Sequence, residues 1–145
     1  MLKQLSALAS LLVVPLWMPA AAQEKCDEAT VRRLGGEPVG QIASQDIYFN
    51  TRPGEPPIVG SEAMEALRLA HASGRRNQKP YGFVPLQVMA TADGSMAYDD
   101  GTARVEYDDA VSGKHVVMDI TYLRVWKVVG GKCRIAAAYS RPVGQ

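Results

Sequence analysis

The last third of the chain, residues 97–139, constrains the fold more than any other stretch. It contains three runs rich in β-branched and aromatic residues, which turn residues separate at Ser112-Gly113 and Gly130-Gly131. Such runs between tight turns are typical of antiparallel strands that follow one another in a sheet. Asp93-Gly94 predicts another tight turn upstream, so we expect four consecutive strands. We place them at residues 84–91, 96–107, 114–128 and 132–140.

The part of the chain before these strands predicts short helices and one further strand. Helical patterns lie at residues 24–34, 38–43 and 61–74, and residues 46–50 have strand character. Gly101 interrupts the second of the four strands, and we interpret it as a β-bulge because strand character resumes at once. The order of elements indicates an α+β fold, in which a curved antiparallel sheet wraps over short helices.

The first 22 residues are typical of a cleaved secretory signal peptide. Lys3 precedes an apolar run at residues 5–18, and Ala20-Ala21-Ala22 supplies the small residues of a cleavage site. The alternative is a retained membrane anchor, but the run is shorter than the roughly 20 apolar residues that span a bilayer. We therefore expect an exported protein, periplasmic or secreted, that leaves the membrane after cleavage. Residues 23–145 are predicted to form a single domain with one hydrophobic core.

Charge argues against nucleic acid as a partner. The signal peptide removes only Lys3, so basic and acidic side chains balance in the rest of the chain and its net charge is zero. Such a domain does not attract a polyanion over long range. The densest basic cluster, Arg75, Arg76 and Lys79, is predicted to be a solvated loop and not a binding patch.

The chain has two cysteines, Cys26 and Cys133. In an oxidising compartment an even number of cysteines favours a disulfide, and the alternative is two separately buried thiols. A bond between them closes a loop of about 108 residues, for which chain entropy gives a stabilisation on the order of 4–5 kcal/mol. No metal site is expected, because two cysteines without a nearby histidine pair do not make a tetrahedral ligand set.

Three stretches resemble the SnoaL-like, nuclear transport factor 2-like domains. They are a strand, a Pro/Gly loop and a helix start at residues 45–64, the turn and strand at residues 93–102, and the sequence YLRVW at residues 122–126 with the Gly-Lys and Ile-Ala-Ala that follow it. Together they span roughly residues 42–140. The resemblance implies a cone-shaped fold with an internal pocket, no cofactor, and a homodimer formed through the convex face of the sheet.

The chain also departs from the family pattern. The first helix is shortened to at most about eleven residues, and Cys133 stands where relatives commonly carry Trp. A disulfide to Cys26 would then tie the shortened helix to the sheet. Family enzymes do acid–base chemistry with carboxylates inside the cone, but the matching positions here hold Thr51, Arg52 and Ala138. The sequence therefore leaves open whether the protein is an enzyme.

Alternation along the strand at residues 114–128 gives it two faces, and the more apolar face carries Tyr122, Arg124 and Trp126. We expect this face to point inward and predict that these three residues, with Tyr98, bind the ligand. In this hypothesis Arg124 holds an anionic or carbonyl group, and the aromatic rings stack on the rest of the ligand.

Two alternatives remain for the charged residues of this strand. Arg124 can instead reach the mouth of the cone or pair with a local acid, either Glu106 or Asp99. Asp119 lies on the opposite face with His115. It is the acid–base candidate if that face points inward, and otherwise it is solvated or at a dimer contact.

Three functional hypotheses follow from the sequence. The first is a domain that binds a small, mostly apolar ligand in its cone. The second is a cofactor-free isomerase, lyase or hydrolase that uses acid–base chemistry in the same cone, which an inward carboxylate in a desolvated place would favour. The third is a structural or partner-binding dimeric domain.

Overall fold

The computed structural model describes residues 23–50 and 54–144. The predicted signal peptide at residues 1–22 and the positions of Thr51 and Arg52 lie outside the described residues. In the part of the chain that is described, no helix is long and apolar enough to cross a membrane. The elements in chain order are α1 (Glu28–Leu34), α2 (Val39–Ile42), β1 (Ala43–Asn50), β2 (Ile58–Val59), α3 (Ser61–Gly74), β3 (Arg75–Arg76), β4 (Gly82–Ala90), β5 (Met96–Asp109), β6 (His115–Val129) and β7 (Lys132–Pro142).

These strands form one curled sheet in the order β2-β1-β7-β6-β5-β3, and β4 pairs with the same edge of β5 as β3 does. The predicted antiparallel run from β4 to β7 is confirmed. The sheet as a whole is mixed, because β1 lies parallel to β7. No short turn joins these two strands, so local sequence does not fix their relative direction.

The three helices begin where the sequence offers a cap or a fixed backbone. Asp27 accepts a hydrogen bond from the backbone N–H of Thr30 at 2.8 Å, so α1 begins at Glu28. The single turn of α2 follows Pro38. Gly60, with φ of 89°, occupies the N-cap position of α3. α3 contacts β1, β2, β3 and α2, and it has no buried residue.

The core lies where α1 and α2 meet β1, β6 and β7. Its fully buried side chains are those of Val31, Ile47, Trp126, Ile135, Cys26 and Cys133. The two cysteines form a disulfide with their Cα atoms 5.2 Å apart, so the predicted bond is present and the two sulfurs are not separate thiols. The bond ties the segment before α1 to β7.

Two local predictions were wrong. The register between β5 and β6 continues without a break through Gly101, and the irregularity lies in β4 between Pro85 and Gln87. Gly101 is there for another reason, since a Cβ atom at this position would lie 2.2 Å from the carbonyl oxygen of Val84. The predicted basic loop also begins with a strand, because Arg75 and Arg76 pair with Asp109 and Asp108 of β5 as β3.

Candidate functional site

The concave face of the sheet is built from alternate residues of β4 to β7. The predicted orientation of β6 is confirmed, because Tyr122, Arg124 and Trp126 are 6%, 3% and 0% exposed. Arg124 pairs in register with Asp99 of β5 on one side and with Ala138 of β7 on the other. Ala138 thus offers only a methyl group at the register position beside Arg124, and the acid that pairs with the guanidinium comes from β5.

Asp99, Arg124 and Trp126 form a buried polar cluster with the backbone carbonyl of Gly35. The Nε and Nη2 atoms of Arg124 donate to the two carboxylate oxygens of Asp99 at 3.1 and 2.5 Å. Its Nη1 atom donates to the carbonyl oxygen of Gly35 at 2.9 Å, just after the end of α1. The indole Nε1 atom of Trp126 donates to Asp99 at 2.6 Å. The cluster therefore joins the short first helix to the middle of the sheet.

Aromatic rings surround the guanidinium of Arg124. Its Cζ atom lies 4.6, 4.9 and 5.1 Å from the ring centroids of Tyr122, Phe83 and Trp126. Phe83 meets Tyr122 edge to face at 5.3 Å. Rings at these distances attract a cation through their quadrupoles, which compensates in part for the water that the guanidinium has lost.

The hydroxyl of Tyr122 is buried and has no hydrogen-bond partner among the described residues. Burial raises the pKa of Tyr122 to about 12, and the positive charge of Arg124 only partly offsets that rise. Tyr122 therefore remains protonated at neutral pH.

The protein itself supplies a hydrogen-bond partner to each nitrogen of the Arg124 guanidinium in the buried polar cluster. All three nitrogens of Arg124 donate to protein acceptors, and this arrangement matches the alternative in which it pairs with Asp99. Glu106, the other acid considered, pairs with Lys79 at 2.6 Å. Among the described residues Asp99 is the only acid that is buried, and it accepts three hydrogen bonds.

Beyond Tyr122 the residues of the concave face are mostly apolar. Ala103 and Val105 of β5 are buried there, and larger apolar side chains around them are only half-buried. The half-buried residues on this face are Phe83, Tyr107, Val116, Met118 and Ile120. Met64 and Leu67 of α3 are also half-buried. We call the five half-buried residues of the sheet the wide end of the cone.

The structure does not bring Tyr98 or Asp119 to this face. Tyr98 alternates with the inward Asp99 and lies on the convex face, 38% exposed, with its hydroxyl on the sulfur of Met89. Asp119 is also on the convex face, where Arg104 donates to it at 2.9 and 3.0 Å. The hydrogen bonds from Arg104 lower the pKa of Asp119, so its carboxylate is ionised. The side chain is also half exposed. A ligand in the cone reaches neither residue.

Similarity to proteins of known structure is confined to the fold. No family model matches the chain, and no curated protein does. A ketosteroid isomerase-like protein from Erwinia carotovora atroseptica SCRI1043 is 13% identical, with a TM-score of 0.63 over 81% of this chain and 88% of that one.

Two further solved structures have the same architecture. A nuclear transport factor 2-like protein with a cystatin-like fold from Novosphingobium aromaticivorans is 15% identical, with a TM-score of 0.55 over 80% of this chain and 74% of that one. A hexachlorocyclohexane dehydrochlorinase is 9% identical, with a TM-score of 0.63 over 79% of this chain and 84% of that one. The chain therefore has the nuclear transport factor 2-like fold, and the resemblance to the SnoaL-like superfamily is confirmed at the level of the fold.

Proposed function

We propose that this protein is an exported domain that binds a small, mostly apolar ligand in the wide end of its cone. Tyr122, Arg124 and Trp126 would form the floor of that site. The observation that carries the proposal is the incomplete burial of the five side chains of the wide end, in a fold whose longest helix, α3, itself buries no residue. An apolar ligand between α3 and the sheet would remove their remaining surface from water, at about 25 cal/mol for each Å².

Binding is favoured over acid–base catalysis by the state of Asp99. A general acid or base must be able to exchange a proton with a substrate, but the carboxylate of Asp99 is held by Arg124 and Trp126. Asp119 is exposed on the other face of the sheet. No carboxylate of the described chain is therefore both buried in the cone and free to react.

N-phenyl-1-naphthylamine tests the proposal, because this neutral apolar dye becomes fluorescent when it leaves water. We expect the protein to bind this dye. We expect Met118→Gln, on the concave face, to weaken binding about fivefold or more, since an apolar thioether that the dye would cover becomes an amide. Met96→Gln is the matched control, because Met96 is 46% exposed on the convex face. Loss of binding in the Met96 variant alone would place the dye on the convex face and refute the proposal, as would the absence of any binding.

The disulfide supports export, because such bonds persist in oxidising compartments. N-terminal sequencing of the protein recovered from the periplasm of an expressing bacterium tests this part of the proposal. We expect the mature chain to begin at Gln23, and recovery of an intact N-terminus from the membrane fraction would refute it.

We also propose that the convex face forms a homodimer. A row of mostly apolar register partners crosses five strands of this face, and it consists of Met89, Tyr98, Val125, Ala137 and Tyr48. In the adjoining row the side-chain oxygens of Asp100 and Asn50 are buried without a donor. Arg141 lies on the same face and stacks on Tyr139. A second copy related by a two-fold axis would bring a donor such as Arg141 to these acceptors.

Sedimentation equilibrium tests the dimer. Leu123→Glu places a charge beside the apolar row, where the wild-type side chain is 43% exposed, and we expect it to give monomers. Val111→Glu in the turn between β5 and β6 is the control, because Val111 is 94% exposed and lies away from the row. A monomeric wild-type protein would refute the dimer without affecting the proposed ligand site.

A further inference from the structure

Arg75 is a second arginine on the concave face. The wide end of the cone lies between Arg75 and Arg124. In β3 it pairs with Asp109 of β5, whose odd-numbered residues face inward. Its Cζ atom lies 4.5 Å from the ring centroid of Tyr107, and its Nη1 atom donates to the hydroxyl of Tyr81 at 3.0 Å. The side chain is half-buried.

The charge of Arg75 is not matched by an acid. Within the described residues it forms no ion pair, and Tyr81 is its one hydrogen-bond acceptor. Asp109, its register partner, is engaged by the turn that follows, where Ser112 donates to its Oδ1 atom through both N–H and hydroxyl. A guanidinium has five N–H groups, so most of the donors of Arg75 are left for water or a ligand.

The two arginines of the concave face therefore differ in one respect that matters for binding. Arg124 donates from all three nitrogens to the protein, whereas Arg75 donates from one. Aromatic rings connect them, since Tyr81 lies 5.7 Å from Phe83 and Phe83 lies 5.3 Å from Tyr122. The concave face thus offers a ligand an apolar surface, with the unneutralised guanidinium of Arg75 at the end farther from Arg124.

We propose that the ligand of this domain is an amphipathic monoanion. Arg75 binds the carboxylate-type or sulfonate-type group of this ligand, and the apolar body of the ligand lies on the wide end of the cone, which includes Phe83. This inference rests on the proposed function and names the chemical class of the ligand. A planar guanidinium matches two oxygens of such a group, and Tyr107 and Tyr81 hold it in place. Neutralising a half-buried cation also removes the cost of leaving it without a counter-charge.

Two dyes that differ by one group test the proposal. 8-Anilinonaphthalene-1-sulfonate is N-phenyl-1-naphthylamine with a sulfonate added, so the pair isolates the contribution of the anion. We expect Arg75→Gln to weaken binding of the sulfonate dye roughly tenfold and to leave the affinity for the neutral dye within about twofold. Arg75→Lys keeps the charge and should keep most of the affinity for the sulfonate dye.

Arg76→Gln is the matched control, because Arg76 is the other residue of β3 and is exposed with its side chain on the opposite face. Circular dichroism and Trp126 fluorescence would verify that each variant is folded. Suppose that the Arg75→Gln and Arg76→Gln variants bind the sulfonate dye with equal affinity and still bind the neutral dye. That result would overturn the proposed role of Arg75 and leave the proposed function standing. Failure of the wild-type protein to bind either dye would overturn the proposed function as well.

Discussion

The β5–β6 ladder contains two Asp–Arg pairs of the same geometry, one buried and one exposed. Substituting the aspartate of each pair by asparagine therefore isolates the effect of burial on the stability of the fold. Asp99 and Arg124 are register partners on the concave face with side chains 1% and 3% exposed. Arg104 and Asp119 are register partners on the convex face with side chains 62% and 52% exposed. In both pairs two guanidinium nitrogens donate to two carboxylate oxygens.

Asp99→Asn keeps the shape of the side chain but removes its charge and sets an amide N–H₂ group against the Nη2 atom of Arg124. The guanidinium then stays buried without a counter-charge, which costs about 3–5 kcal/mol of folding free energy. For a domain of this size a urea m-value of about 1.5 kcal/mol per M converts that loss into a fall of about 2–3 M in the unfolding midpoint. Asp119→Asn should leave the midpoint essentially unchanged, because water screens the exposed pair.

The assay is urea unfolding followed by tryptophan fluorescence. Trp126 belongs to the buried polar cluster, and the other tryptophan, Trp17, lies in the predicted signal peptide. The double variant with Asp99→Asn and Arg124→Gln removes both charges and should recover part of the lost stability. Equal midpoints for the Asp99→Asn and Asp119→Asn variants would show that the buried ion pair does not support the sheet as argued.

Two further predictions concern Gly101 and Tyr122. Gly101→Ala should destabilise the protein by about 2–3 kcal/mol or more, because its Cβ atom would lie 2.2 Å from the carbonyl oxygen of Val84. Gly82→Ala is the control and should be tolerated, because the nearest contact of its Cβ atom is at 4.0 Å; equal thermal midpoints of the two variants would contradict this prediction. The pKa of Tyr122, about 12 in the folded protein against 10 for an ordinary tyrosine, makes the unfolded chain lose this proton first, so stability should fall as pH rises from 10 through 12. Tyr122→Phe should flatten that fall in unfolding experiments at several pH values, and Tyr48→Phe, at an exposed position, should not.

The sequence predicted those parts of the fold that short-range turn chemistry determines. Asp93-Gly94, Ser112-Gly113 and Gly130-Gly131 each define a hairpin, and the strands between them were placed within a few residues of their bounds. The parallel pairing of β1 with β7 has no such local signal, because strands that are distant in sequence are aligned only by packing of their side chains.

The candidate site was only partly accessible from the sequence. Alternation in β6 identifies Tyr122, Arg124 and Trp126 as inward residues, but it leaves Asp99 as only one of two possible acidic partners of Arg124. The hairpin register contains the missing signal, since Asp99 lies nine residues before Asp108, Arg124 lies nine residues after His115, and Asp108 pairs with His115. The polar neighbours of Arg75 predict a solvated loop, because hydrophilic composition does not reveal which side chains of a short edge strand point inward.

The pairing of β1 with β7 sets the order in which the domain can be completed during synthesis. The first strand has no neighbour on this side until the last strand has been made, and Cys26 must likewise wait for Cys133, which lies 107 positions later. Contacts between such distant positions form slowly, so a growing chain leaves the β7 side of β1 unpaired for nearly the whole of translation, while β2 can already pair with its other side. Deleting the final strand would consequently leave β1 and β2 without a connection to the rest of the sheet, because they join it only through β7.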